Sequence, residues 1–256
     1  MLRTVRLLLA SAFAAALVAA EEPPPPQPTG EETPISLKQF ATNVVYDQKP
    51  IWTFPMKAAK GQHWKPVLGV VLGTAALVIA DPHIEPYFHD GDRFKNYKTG
   101  PLRGRNSTLA ITLTPLAFYA VGAATHRTHA RNTGLLAAEA LVDTQLLSFV
   151  MKNVAGRVIP DQIPRNGNYR DTWFKYKGSF TNRGSFPSGH AASAFAVATV
   201  IAERYHDRHK WVPWVAYGAA TFLALTRLPD QAHFSSDIFF GAAAGYAISH
   251  FVVLRR

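Results

Sequence analysis

Ser185-Phe186-Pro187-Ser188-Gly189-His190 runs without a break into the apolar segment Ala191–Ala202. A polar cluster that turns directly into an Ala-rich stretch lacking strand-like alternation reads as the start of a helix, with Pro187 or Ser188 at its cap. The amides of Gly189 and His190 then stand at a helix N-terminus, where unpaired N–H groups and the dipole favour an anion. Five further segments share the same Ala-, Leu- and Gly-rich character: Val67–Ala80, Ser107–Thr125, Gly134–Met151, Trp211–Thr226 and Ile238–Leu254. The expectation is therefore an all-α chain, a bundle of six helices with no sheet.

The rest of the chain divides around that bundle. Residues 1–20 carry Arg3 and Arg6, an apolar stretch Leu7–Val18 and small residues before Glu21, which reads as a signal peptide. Residues 21–65 form a Pro-rich linker, dense at Pro23–Pro26, and an N-terminal arm expected to dock as one or two short helices, with Trp52, Phe54 and Trp64 in the core. Residues 66–256 are the domain. With 48% hydrophobic and 17% charged residues the whole chain has the composition of a packed globular protein, and the absence of cysteine excludes disulfides, thiol nucleophiles and Cys metal sites. The net charge of +10 favours anionic partners.

Spanning a bilayer takes about 20 apolar residues. The first and fourth apolar segments hold about a dozen and the third carries Glu139, Asp143 and Gln145, so the expectation is a soluble or membrane-apposed bundle that does not cross. Export to the periplasm or envelope is the expected location, with membrane integration as the alternative.

Three clusters at the segment ends carry the chemistry. The second is Pro187-Ser188-Gly189-His190, introduced above. The third is Arg227 followed by His233 and Asp237, where a four-residue spacing sets a carboxylate beside an imidazole and leaves one ring nitrogen free to attack. The first opens at Lys152, in a stretch to Arg183 that holds seven cationic residues (Lys152, Arg157, Arg165, Arg170, Lys175, Lys177, Arg183) against Asp161 and Asp171. Such a loop beside two histidines suits phosphate or another oxyanion.

Together the three clusters resemble the type 2 phosphatidic acid phosphatase superfamily, which also includes bacterial acid phosphatases and vanadium haloperoxidases. Its pattern is Lys, six residues, Arg-Pro; then Pro-Ser-Gly-His; then Ser-Arg, five residues, His, three residues, Asp. Lys152, Pro160, Pro187-Ser188-Gly189-His190, Arg227, His233 and Asp237 match in order and spacing, over a resemblance that runs from about Val67 to Val253. Ile159 stands where the family has Arg, and Thr226 where it has Ser; Arg157, Arg165 or Arg183 would have to replace the missing cation.

The resemblance implies a metal-independent phosphatase that acts on a lipid phosphate or soluble phosphomonoester and needs no cofactor. His233 would be the nucleophile held by Asp237, and His190 the acid and base. Lys152, Arg157, Ser188, Gly189 and Arg227 would bind the phosphate. A membrane surface is a second expected contact. Nucleic acid is excluded as a partner, because the cations are not interleaved with aromatics on a recognisable module. Two other readings stay open: a vanadate-dependent haloperoxidase, and a non-catalytic lipid-binding envelope protein.

Overall fold

The computed structural model of the chain describes residues 32–89, 94, 104–176 and 184–256. The expected signal peptide at 1–20, the Pro-rich run, Lys177 and Arg183 lie outside the described residues. Within them there are seven α-helices and no strand: α1 Leu37–Ala59, α2 Trp64–Phe88, α3 Gly104–Ala124, α4 Thr128–Ala155, α5 Gly189–Tyr205, α6 Val212–Leu225 and α7 Ser235–Ile248. A 3-10 turn at Pro160–Gln162 and a π turn at Ser249–Val253 complete them. All six expected segments are helical. The count is seven because the arm forms one 23-residue helix instead of one or two short ones, started by Ser36 Oγ accepting from Gln39 N at 3.1 Å.

Helix α5 is the centre. Its buried residues (Ala194, Ala196, Val197, Val200, Ile201) are small or β-branched, and α4, α6 and α7 all pack on it. Two glycines of α7 make this packing direct. A Cβ at Gly241 would run into the Ser188 carbonyl, and one at Gly245 into the Ala192 carbonyl, so only Gly lets the two backbones meet. The arm is tied to the far end of α4 and α5. Glu32 accepts from Arg204 Nη2 at 2.6 Å and Asn132 Nδ2 at 2.9 Å, and Ile35 N donates to Asn132 Oδ1 at 2.9 Å.

The surface corrects the expectation of a bundle too short to cross a membrane. Four helical stretches, Trp64–Phe88, Asn106–Ala124, Thr128–Gln162 and Ser235–Val253, are long and apolar enough to cross one. The helices extend beyond the apolar segments visible in sequence, since buried polar residues such as Asp81 and Glu85 continue α2 inward-facing and Lys152 continues α4. Their outer faces carry Leu68, Val71, Leu72, Ile79, Leu109 and Leu116 exposed, with Trp214 exposed on α6. Trp52 and Trp64, expected in the core, are also exposed. A surface of this kind fits association with a membrane.

Candidate active site

The site forms where α4 ends and α5 and α7 begin. Gly156 stops α4 in the left-handed conformation (φ 49°), its N–H donating to Lys152 O at 3.0 Å. A side chain there would also meet the Tyr176 carbonyl, so the turn requires glycine. It sends Arg157 back beneath the start of α7. Ser188 caps α5 as its sequence predicts, Oγ accepting from Ala191 N at 3.3 Å. Its own N–H donates to the Asp237 carbonyl at 3.0 Å, which joins the starts of α5 and α7.

His233 sits just before α7 and is buried. Its Nδ1 lies 2.7 Å from the Ser185 carbonyl. A carbonyl only accepts, so Nδ1 carries the proton and Nε2 keeps its lone pair. Burial pushes the imidazole pKa down to about 4, assisted by the charges of Lys152 and Arg227 and opposed by Asp237. The ring is thus neutral at neutral pH, as a nitrogen nucleophile must be.

The expected partner of this ring stands further off. Asp237 Oδ2 is 3.8 Å from Nδ1, beyond hydrogen-bond range, and accepts instead from Phe234 N at 2.9 Å as part of the α7 cap. The tautomer is therefore set by a backbone carbonyl, with the carboxylate as a nearby charge. Ser185 is itself anchored, its N–H donating to the Arg157 carbonyl at 2.8 Å.

Arg157 differs most from expectation. Instead of opening toward a phosphate pocket, its buried guanidinium bridges two buried carboxylates. Nη1 donates to Asp237 Oδ1 at 2.5 Å and Ser236 Oγ at 2.7 Å, Nη2 to Asp81 Oδ2 at 2.8 Å, and Nε to Thr172 Oγ1 at 3.2 Å. Trp173 and Phe234 cover it, with Cζ 4.5 and 3.8 Å from their ring centroids. Asp81 completes the cluster by accepting from Ser236 Oγ at 2.5 Å. These contacts commit four of the five guanidinium N–H groups, and they tie Arg157 to Asp237 through its side chain and to Ser185 through its carbonyl.

The remaining predicted residues converge on the same end of the bundle. His190, in the first turn of α5, has Nε2 2.6 Å from Thr108 Oγ1 of α3. Gly189 follows the cap, its carbonyl accepting from Gln145 Nε2 at 3.1 Å. Lys152 lies in the last turn of α4, and Arg227 follows α6 with Nη1 2.6 Å from Asp230 Oδ2. Both cations act electrostatically on His233. Ile159 precedes the 3-10 turn and brings no cation, and Lys175 is paired on the surface with Asp171 at 2.6 Å.

Asp81, Thr108 and the Ser185 carbonyl were missed in the sequence. The carbonyl has no signal at all. Asp81 had one, an acid immediately following the apolar stretch Val67–Ala80, since a charge on an apolar helix usually faces inward with a partner.

Among the described residues, the group able to share a metal ion is Asp47, Glu139 and Asp143, whose oxygens lie within 4.8 Å of one another where α1 packs on α4. Arg256 pairs with Asp47 and Glu139 there, and Gln48 Nε2 donates to Asp143 at 2.8 Å. Asp143 is about 14 Å along α4 from Lys152, so this cluster is separate from the histidines.

Residues 133–256 match the PAP2 superfamily. A lipid A 1-phosphatase of Porphyromonas gingivalis is 38% identical over 99 residues, covering 39% of this chain and 22% of that protein. A lipid A 4'-phosphatase of the same organism is 27% identical over 119 residues, covering 46% and 48%. A lipid A 1-phosphatase of Rhizobium etli is 32% identical over 108 residues, covering 41% and 42%. The matches thus span less than half of each relative's length. No solved structure matches the chain.

Proposed function

Since this chain belongs to the PAP2 superfamily, we propose that it is a membrane-embedded phosphatase that hydrolyses the phosphate monoester of a lipid through a phosphohistidine. The observation that carries this reading is His233: a buried, neutral imidazole with its proton committed to Ser185 O and a lone pair at Nε2. Such a group is prepared to attack phosphorus, and its partners are those that attack would need.

In the first step Nε2 attacks phosphorus in line, the bond to the leaving oxygen breaks, and His190 supplies that oxygen with a proton. The phosphorylated ring still holds its Nδ1 proton, so it becomes cationic. The Ser185 carbonyl at 2.7 Å and the Asp237 carboxylate at 3.8 Å stabilise that new charge. In the second step His190 takes a proton from water, the resulting oxygen attacks phosphorus, and the P–N bond breaks to restore the Nε2 lone pair. Lys152, Arg227 and the amides at the start of α5 stabilise the phosphoryl oxygens during both steps. Arg157 acts through Asp237 and Ser185, without touching phosphate. The bundle lies in the bilayer, which the four long apolar stretches and their exposed aliphatic faces support. Delivery across the inner membrane by residues 1–20 remains part of the proposal.

The relatives' printed substrate, lipid A, is the first to assay, beside phosphatidate and p-nitrophenyl phosphate. Phosphate release by the purified protein should be lost in His233→Ala, and alkaline quenching of wild type with labelled lipid should trap label on the protein. Full activity in that variant would refute the mechanism.

A further inference from the structure

Helices α3 and α6 both pack on α5 with scarcely a contact between them, and a groove of about 120 Å³ runs through the gap. Ala194 and Ala198 of α5 form its floor, Ile111 and Thr114 of α3 one wall, and Ala219 and Ala220 of α6 the other. For scale, an apolar cavity of about 150 Å³ holds a benzene molecule. The walls lead to the catalytic end. Ile111 is three residues from Thr108, Ala194 four residues from His190, and the wall residue Leu223 four residues from Arg227. Thr108 and His190 join across the gap at 2.6 Å, and the groove opens one helical turn beyond that hydrogen bond. From Ala194 to Ile201 it continues along α5 for about 10 Å.

We infer that this groove holds a hydrocarbon chain of the phosphorylated lipid during turnover. The inference rests on the phosphatase reading and adds to it the site that selects a lipid. The mechanism itself selects this side. In-line attack by His233 puts the leaving alcohol opposite the nucleophile, where His190 protonates it, and the groove starts at His190. A chain attached within a few bonds of the phosphate enters it while the phosphate remains between the two histidines. Alanine at floor and wall keeps the gap open, because a larger residue at any of these positions would fill it.

The test uses the full chain in lipid nanodiscs and two variants. Ala219→Leu changes an exposed wall residue that carries little packing, and Ala198→Leu changes the floor. Each removes space for about three methylenes, which predicts a tenfold to hundredfold loss of kcat/KM on long-chain phosphatidate. Turnover of p-nitrophenyl phosphate, which has no chain, should stay within about twofold of wild type. In wild type, n-alkyl phosphates should inhibit p-nitrophenyl phosphate turnover more tightly as the chain lengthens, up to the end of the groove. Unchanged long-chain kinetics in Ala219→Leu would overturn the inference, as bulk lipid would then be the only occupant. So would an equal loss on both substrates in a variant with unaltered melting. Wild-type inactivity on every phosphate ester would instead defeat the phosphatase reading, and the groove would still be judged by binding of alkyl phosphates.

Discussion

Replacing Arg157 with lysine separates two roles that a cation near a phosphatase site can play. The guanidinium makes four hydrogen bonds, two of them to carboxylates at 2.5 and 2.8 Å. One ammonium keeps the charge but cannot hold Asp81, Asp237 and Thr172 together. Hydrogen bonds to charged groups contribute about 1.5–3 kcal/mol each, so the loss of one or two costs roughly 3 kcal/mol. Complete removal in Arg157→Ala would strand two buried carboxylates, at about 3–5 kcal/mol, a large share of a typical stability of 5–15 kcal/mol. Lysine is therefore the informative change. If Asp237 drifts from the imidazole by the same measure, kcat falls about a hundredfold, equivalent to about 2.7 kcal/mol. The assay is steady-state phosphate release together with inhibition by vanadate, which occupies the phosphate site. We expect kcat to fall and the vanadate inhibition constant to change less than about threefold. Asp81→Asn, which alters a residue with no route to phosphate, should give the same pattern more weakly. A tenfold or greater rise in the vanadate constant with kcat preserved would refute the reasoning and make Arg157 a phosphate ligand.

Further expectations concern the histidines, the metal question and the helix contact. Because the folded pKa of His233 is about 4, below its ordinary 6.5, the folded state resists protonation that the unfolded chain accepts. Its contribution, roughly 3 kcal/mol, is present in full above pH 6.5 and is lost as pH falls toward 4, which denaturation at several pH values would show. For the same reason the acid limb of kcat/KM, which reports the free enzyme and the first step, should fall near pH 4, and an enzyme limb near 6.5 there would contradict a buried nucleophile. Thr108→Val should lower kcat/KM, which reports the first step, for alkyl phosphates but spare p-nitrophenyl phosphate, whose leaving group needs little protonation; equal loss of kcat/KM on both would deny His190 its acid role. Activity should survive chelation with EDTA, since Lys152 and Arg227 provide the cationic field, and complete loss restored by one divalent ion would overturn that. Gly245→Ala should lower the melting temperature by several degrees or prevent folding, because α5 and α7 would be forced apart.

The parts of this architecture legible in sequence are those governed by local rules. Ser188 is a helix cap, and the apolar segments locate six helices, because capping and apolar composition act over a few residues. Helix lengths were underestimated where Asp81, Glu85 and Lys152 continue an apolar stretch, since inward-facing charges look like helix ends to a hydropathy count. The order of Lys152, His190, Arg227 and His233 pointed to one site, and the structure brings them to one end of the bundle. The role of Arg157 was not legible. Its carboxylate partners are Asp81 and Asp237, 76 and 80 residues away, and no spacing rule reports on such pairs. The hold on His233 was equally hidden, because a backbone carbonyl such as that of Ser185 has no letter in the sequence.

The stretch that matches the family begins at Thr133, yet Asp81 and Thr108 precede it and complete the surroundings of Arg157 and His190. The motif-bearing half is thus not a transplantable cassette. Grafted onto another set of leading helices, it would carry its histidines without the Asp81 carboxylate that shares Arg157 with Asp237 or the Thr108 hydroxyl that bonds His190. Recombination between relatives should succeed only where the crossover keeps both halves from one parent, or moves α2 and α3 together with the sequence they serve.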